Sequence, residues 1–168
     1  MDLQRIFVTL TLESPGAALS EFVPIFHRFI QERVLPEMLI DVATYEHVKG
    51  GAVLLIGHEA DYRVSSEPLC LTYCRKRLLE GSPAKRIELC LTRALAASRI
   101  LSQHGYLCDE NVLQLEFADR LWVENTPASF EALSPHVLEA AQKALGAVDI
   151  EYIEADRRAP LKISITRR

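Results

Sequence analysis

His58, Glu59, Asp61 and Tyr62 fall close together directly after the apolar run Val53-Leu54-Leu55-Ile56-Gly57. An imidazole, two carboxylates and a phenol so near one another can bind a metal, exchange protons or hold a polar ligand. A hairpin turning at Lys49-Gly50-Gly51 brings Asp41 toward them: a two-residue turn sets Asp41 opposite His58, a three-residue turn opposite Glu59. The first pairing would raise the imidazole pKa by charge attraction; the second would repel unless a cation stood between. Asp41, Tyr45 and His47 share one face of the hairpin's first strand. The candidate ligand-binding set is therefore Asp41, Tyr45, His47, His58, Glu59, Asp61 and Tyr62. The plain alternative is a strand end where the chain becomes solvated.

The signatures of common enzymes are missing. The chain has no GxSxG nucleophile elbow, no glycine-rich phosphate loop, no GxGxxG after its first strand and no HExxH. The five histidines (His27, His47, His58, His104, His136) are scattered. Cys70, Cys74, Cys90 and Cys108 do not have the CxxC spacing of a zinc ribbon. Four residues along a strand separate Cys70 from Cys74 by about 13 Å, too far for one metal. No catalytic residue, metal ligand or cofactor is assigned from these patterns.

A length of 168 residues, 49% hydrophobic and 25% charged, describes one globular domain over 1–168 rather than a disordered chain. Twenty-three acids against 19 bases leave a net charge of −4. That balance opposes nucleic-acid binding, which is driven by a basic excess. Arg75-Lys76-Arg77, Arg157-Arg158 and Arg167-Arg168 read as solvated turns and strand ends. No apolar run is long enough to span a bilayer, and the start lacks the pattern of a signal peptide, so a cytoplasmic location is expected.

The elements that must position the candidates follow from periodicity. Alternation makes Ile6 to Leu12 a strand, broken at Ser14-Pro15-Gly16. Phe22, Ile25, Phe26, Phe29 and Ile30 form the stripe of a helix opening near Ser20 or Pro24. The hairpin Met38 to Val48 and Ala52 to His58 follows, then a strand over Leu69 to Arg75. Ser82-Pro83 caps a second helix that ends before Gly105. A strand over Val112 to Phe117 comes next, continued after a bend by Leu121-Trp122-Val123. Thr126-Pro127 opens a third helix, in which Pro135 makes a kink or starts a further helix capped by Ser134. A last hairpin joins Ile150–Ile153 to Leu161–Ile165. Strand, helix, hairpin thus occurs twice, over 6–58 and 112–166. The expected class is α+β: a mixed or largely antiparallel sheet with about three helices on one face, built from two β-α-β-β units in the duplicated arrangement.

Phe22-Val23-Pro24-Ile25-Phe26-His27-Arg28-Phe29-Ile30-Gln31, Leu39 to Val48, Ile56 to Tyr62 and Tyr73-Cys74-Arg75-Lys76-Arg77 together resemble segments of a family of small uncharacterised bacterial proteins of no established function. The resemblance implies a bacterial, soluble setting and supplies no catalytic residues.

Two functional expectations follow. The first is a non-enzymatic protein that binds a partner protein or small ligand, as a homodimer joined through the sheet face that the helices leave uncovered. Phe7, Thr9, Thr11, Asp41, Tyr45 and His47 give that face a half-polar, aromatic character suited to protein contact. The second is a small metal-dependent hydrolase using Asp41, His58, Glu59 and Asp61. RNA binding on an open sheet is a third, opposed by the acidic balance.

Overall fold

The computed structural model describes residues 3–14, 16–47 and 49–168. Pro15 of the expected break and Val48 at the end of the expected strand lie outside them. Strand β1 (Ile6–Leu12) buries Ile6, Val8, Leu10 and Leu12 and turns Phe7, Thr9 and Thr11 the other way. A 3-10 turn, Leu19–Glu21, leads into helix α1 (Phe22–Glu32), whose Phe22, Phe26 and Phe29 recur at helical spacing on the buried side. Then come β2 (Leu39–Thr44), β3 (Ala52–Gly57), β4 (Ala60–Ser66) and β5 (Leu69–Arg75). Helix α2 (Pro83–Ser102) starts as expected, with Pro83 at its first position and the Lys85 N–H donating to Ser82 Oγ at 3.4 Å. Strand β6 (Cys108–Phe117), helix α3 (Pro127–Leu145), β7 (Val148–Ile153) and β8 (Leu161–Arg167) complete the chain.

The eight strands form one sheet in the order β2-β3-β4-β5-β1-β6-β8-β7, every pairing antiparallel. The α+β class is therefore correct, and of the two sheet types expected it is the antiparallel one. Val53, Leu55, Tyr62, Val64, Leu71, Tyr73, Val8, Leu10, Leu113, Leu115, Ile163 and Ile165 share one face and are buried under the helices. Among the described residues, no helix packs on the opposite face. Both halves of the sheet follow one route. From β1 the chain crosses through α1 to the edge strand β2 and returns by β3, β4 and β5 to lie beside β1. From β6 it crosses through α3 to the other edge, β7, and returns by β8 to lie beside β6.

Four local expectations are corrected. Strand β2 stops at Thr44, and 45–47 and 49–51 lie in the turn, closed by Tyr45 N–H on Ala52 O at 2.8 Å. With that longer turn and a bulge between Leu39 and Asp41, Asp41 lies opposite Ile56 rather than His58 or Glu59. Ala60–Ser66 forms a strand that the expected order of elements lacks: Ala60, Tyr62 and Val64 point inward while Asp61 and Arg63 point out. Leu121 and Trp122 do not continue β6; they are 93% and 58% exposed, and only Val123 turns in. Of the two readings at Pro135, a new helix capped by Ser134 is the one overturned: α3 continues through Pro135, and Ser134 Oγ donates to Phe130 O at 2.7 Å.

Candidate functional site

The sheet divides the sequence cluster. His58 and Glu59 form the turn between β3 and β4. That turn is tight enough that a Cβ on Gly57 would come within 2.4 Å of Ala60 O, which is why glycine ends β3. His58 Nδ1 lies 3.5 Å from Glu59 Oε1, and its Nε2 lies 3.4 Å from the Arg77 guanidinium. Glu59 accepts from Met38 N–H at 3.2 Å, and its carbonyl accepts the N–H groups of Lys76 and Arg77. Slight desolvation opposes it, yet backbone N–H groups and His58 hold the Glu59 carboxyl below the ordinary glutamate range. Asp61 faces the uncovered side, where Lys76 Nζ meets it at 2.7 Å. Tyr62 faces the core. Asp41 sits on the edge strand, its Oδ1 accepting the Val42 N–H at 2.8 Å, and Tyr45 and His47 lie exposed in the turn beyond it. Asp41, Tyr45 and His47 thus do not join the turn residues. Among the described residues no three His, Cys, Asp or Glu side chains converge as a metal site. The cysteines are free, and burial pushes the Cys74 and Cys90 thiols to about 12 and Cys108 to about 11.

What Glu59 and Tyr62 do share is a neighbour that the sequence reading missed, Glu37. Its side chain is only 3% exposed, in the loop between α1 and β2. Tyr62 OH donates to Glu37 Oε2 at 2.7 Å, and Arg93 Nε of α2 lies 3.4 Å from Oε1. Burial and then the Glu37 charge push the Tyr62 phenol far up, so it remains a neutral donor. Its ring meets Tyr73 edge-on at 5.3 Å. This triad fixes loop 33–38 against the sheet and α2. A lone acid inside Val34-Leu35-Pro36-Glu37-Met38-Leu39-Ile40 was the available sequence signal, because a charge in an apolar run is buried only when paired.

Beside the loop lies a cavity of about 730 Å³, lined by Ile30, Arg33, Leu35, Pro36, Glu37, Met38, Leu39 and Glu59. Its walls are largely aliphatic; Arg33 borders it from the helix side and Glu59 from the sheet side. Arg33 ends α1 with φ 51° and ψ 46°, the one non-glycine residue with positive φ among those described. Glycine is the common residue at such a helix end, since the left-handed conformation costs other residues about 1 kcal/mol. The conformation closes the helix end, the N–H groups of Arg33 and Val34 both donating to Phe29 O, while the Arg33 guanidinium makes no hydrogen bond or ion pair with the described residues. Nothing in the sequence marks this position.

No protein-family model matches the chain, and no curated protein matches it in sequence.

Proposed function

We propose that the protein is a non-enzymatic binding protein that takes a small ligand in the cavity between the end of α1 and the β3–β4 turn. The observation that carries the reading is the Arg33 guanidinium, which has no side-chain partner among the described residues and stands on the wall of the cavity of about 730 Å³. Backbone N–H groups alone close this helix end, so the Arg33 guanidinium has no part in the cap and is available to a ligand. The cavity is pre-formed, because Glu37, Tyr62 and Arg93 anchor its loop, and its aliphatic walls with a few charged groups suit a small organic molecule. The charges at its border are of opposite sign. They favour a compact aliphatic molecule carrying an anionic and a cationic group, with Arg33 receiving the carboxylate and Glu59 the ammonium.

Leucine, 3-methylbutylamine and 4-methylpentanoate have the same body and differ only in their charged groups. Titration of each, followed at the backbone amides of Arg33, Met38 and Leu39 by NMR, tests the reading. Leucine is expected to move these amides at the lowest concentration and each analogue at a higher one. Equal response to all three would remove the charge assignment; no response at these amides to any would remove the cavity as a ligand site.

The metal-dependent alternative draws on Asp41, His58, Glu59 and Asp61. The fold distributes these over an edge strand, a turn and the uncovered face, and so favours binding over that chemistry.

A further inference from the structure

The uncovered sheet face has an order that the strand register makes explicit. At one level across the strands lie Ile56, Asp61, Cys74, Phe7, Glu116, Lys162 and Ile153, in that sequence from β3 to β7. Phe7 is central. Two strands to one side is Asp61, two to the other is Lys162, each about 10 Å away; three strands out on either side is an isoleucine. The next level holds Thr9 at the centre with Arg63 and Ser164 two strands away. We propose that this face pairs with a second copy of the chain about a two-fold axis close to β1, placing Phe7 on Phe7 of the partner subunit and Asp61 on Lys162 of the partner subunit. The proposal is independent of the cavity reading.

Charge selects both the partner and the axis. Rotation about β1 exchanges positions equally far to either side, so Asp61 meets a cation, Ile56 meets Ile153 of the partner subunit and Arg63 meets a serine. The alternative in-plane axis, across the strands, would set Asp61 on Asp61 and Lys162 on Lys162, and like charges in contact are strongly unfavourable. Within each chain Asp61 already pairs with Lys76 at 2.7 Å and Lys162 with Glu116 at 3.4 Å. The rotation therefore joins two ion pairs head to tail into a four-charge network, twice. A hollow of about 330 Å³ on this face, lined by Arg5, Phe7, Asp61, Cys74, Arg75 and Lys76, carries the side chains of Arg5 and Lys76 beside one carboxylate, while the Arg75 side chain alternates to the helix side toward Tyr73. Cys74 and Glu116 flank Phe7 on opposite sides, so the rotation brings Glu116 of the partner subunit over that hollow. Arg5 lies near the axis at its solvent end, where the same carboxylate and salt screen it from its own copy.

Cross-linking and charge reversal test the proposal together, each variant being checked for native circular dichroism. Light scattering of the wild type is expected to give twice the chain mass of 18.9 kDa. In a Cys70→Ser, Cys74→Ser background, Thr9→Cys on the axis is expected to be joined to its copy by a short bis-maleimide, because facing sheets lie about 10 Å apart, while Ser164→Cys off the axis is not. Asp61→Lys or Lys162→Asp alone should weaken the dimer roughly tenfold to a hundredfold, and the double variant should restore it. A monomeric wild type, cross-linking at position 164 instead of 9, or failure of the double variant to recover while folded would each overturn the proposal.

Discussion

Three carboxylates show how differently one residue type is used in this chain. Asp41 lies on an edge strand whose Val42 N–H points away from β3, because Tyr45, Ala43 and Asp41 direct theirs toward it. By accepting that N–H, Asp41 satisfies the unpaired edge and puts a negative charge beside it, a known protection against strand-to-strand aggregation. Asp41→Ala should therefore speed hydrogen exchange at the Val42 amide and give concentration-dependent growth in light scattering; unchanged exchange would show that the bond does nothing in solution. Glu59 has a lowered pKa, so its contribution to stability is complete above its unfolded value of 4.5 and is lost as pH falls through the lower folded value. Urea unfolding below pH 4.5 should show wild type losing stability more steeply than Glu59→Gln, and parallel curves would contradict the role given to its N–H partners. Glu37 is the buried one, and its dependence on Tyr62 gives the largest expected effect. Tyr62→Phe keeps the ring packing and removes one hydrogen bond to a buried charge, an expected loss of about 1.5–3 kcal/mol by chemical denaturation.

At the level of elements, legibility followed the strength of the local signal. The capped starts of α2 and α3 were readable because Ser82-Pro83 and Thr126-Pro127 combine an acceptor side chain with a residue that lacks an N–H. The phenylalanines of α1 and the alternation of β1 were equally clear. Strand β4 was not, because Asp61, Arg63 and Ser65 lie on the uncovered face and, with Ser66 at the strand end, give the segment the polarity of a loop; the inward set Ala60, Tyr62 and Val64 was the signal to weigh. The turn after β2 misled in the opposite direction, since Lys49-Gly50-Gly51 fits a turn of two or three residues and only the register shows that the strand ends at Thr44. That misreading moved Asp41, Tyr45 and His47 into a site they do not share. Core packing of α1 holds the helix end of the cavity, so Phe26→Ala is expected to cost about 3–5 kcal/mol in stability. A much smaller loss would show that α1 is only loosely docked.

For the whole molecule, alternation and helical stripes were sufficient for the fold class and for the uncovered face, because each depends on the pattern of many residues. The cavity was out of reach. It depends on one backbone conformation at Arg33 and on Glu37 meeting partners far along the chain, and neither leaves a periodic trace. The two structural conclusions are separable: the cavity lies on the helix-bearing side by α1, and the proposed contact between copies on the other. The central claim is that the Arg33 guanidinium serves a ligand and not the fold. Thermal melts of wild type and Arg33→Gly, each with and without leucine, test it most directly. The account predicts that the glycine variant melts at the same or a higher temperature, by up to about 1 kcal/mol in stability, and loses the leucine-dependent rise that wild type shows. A variant that melts well below wild type without ligand, or that keeps the full leucine response, would contradict it.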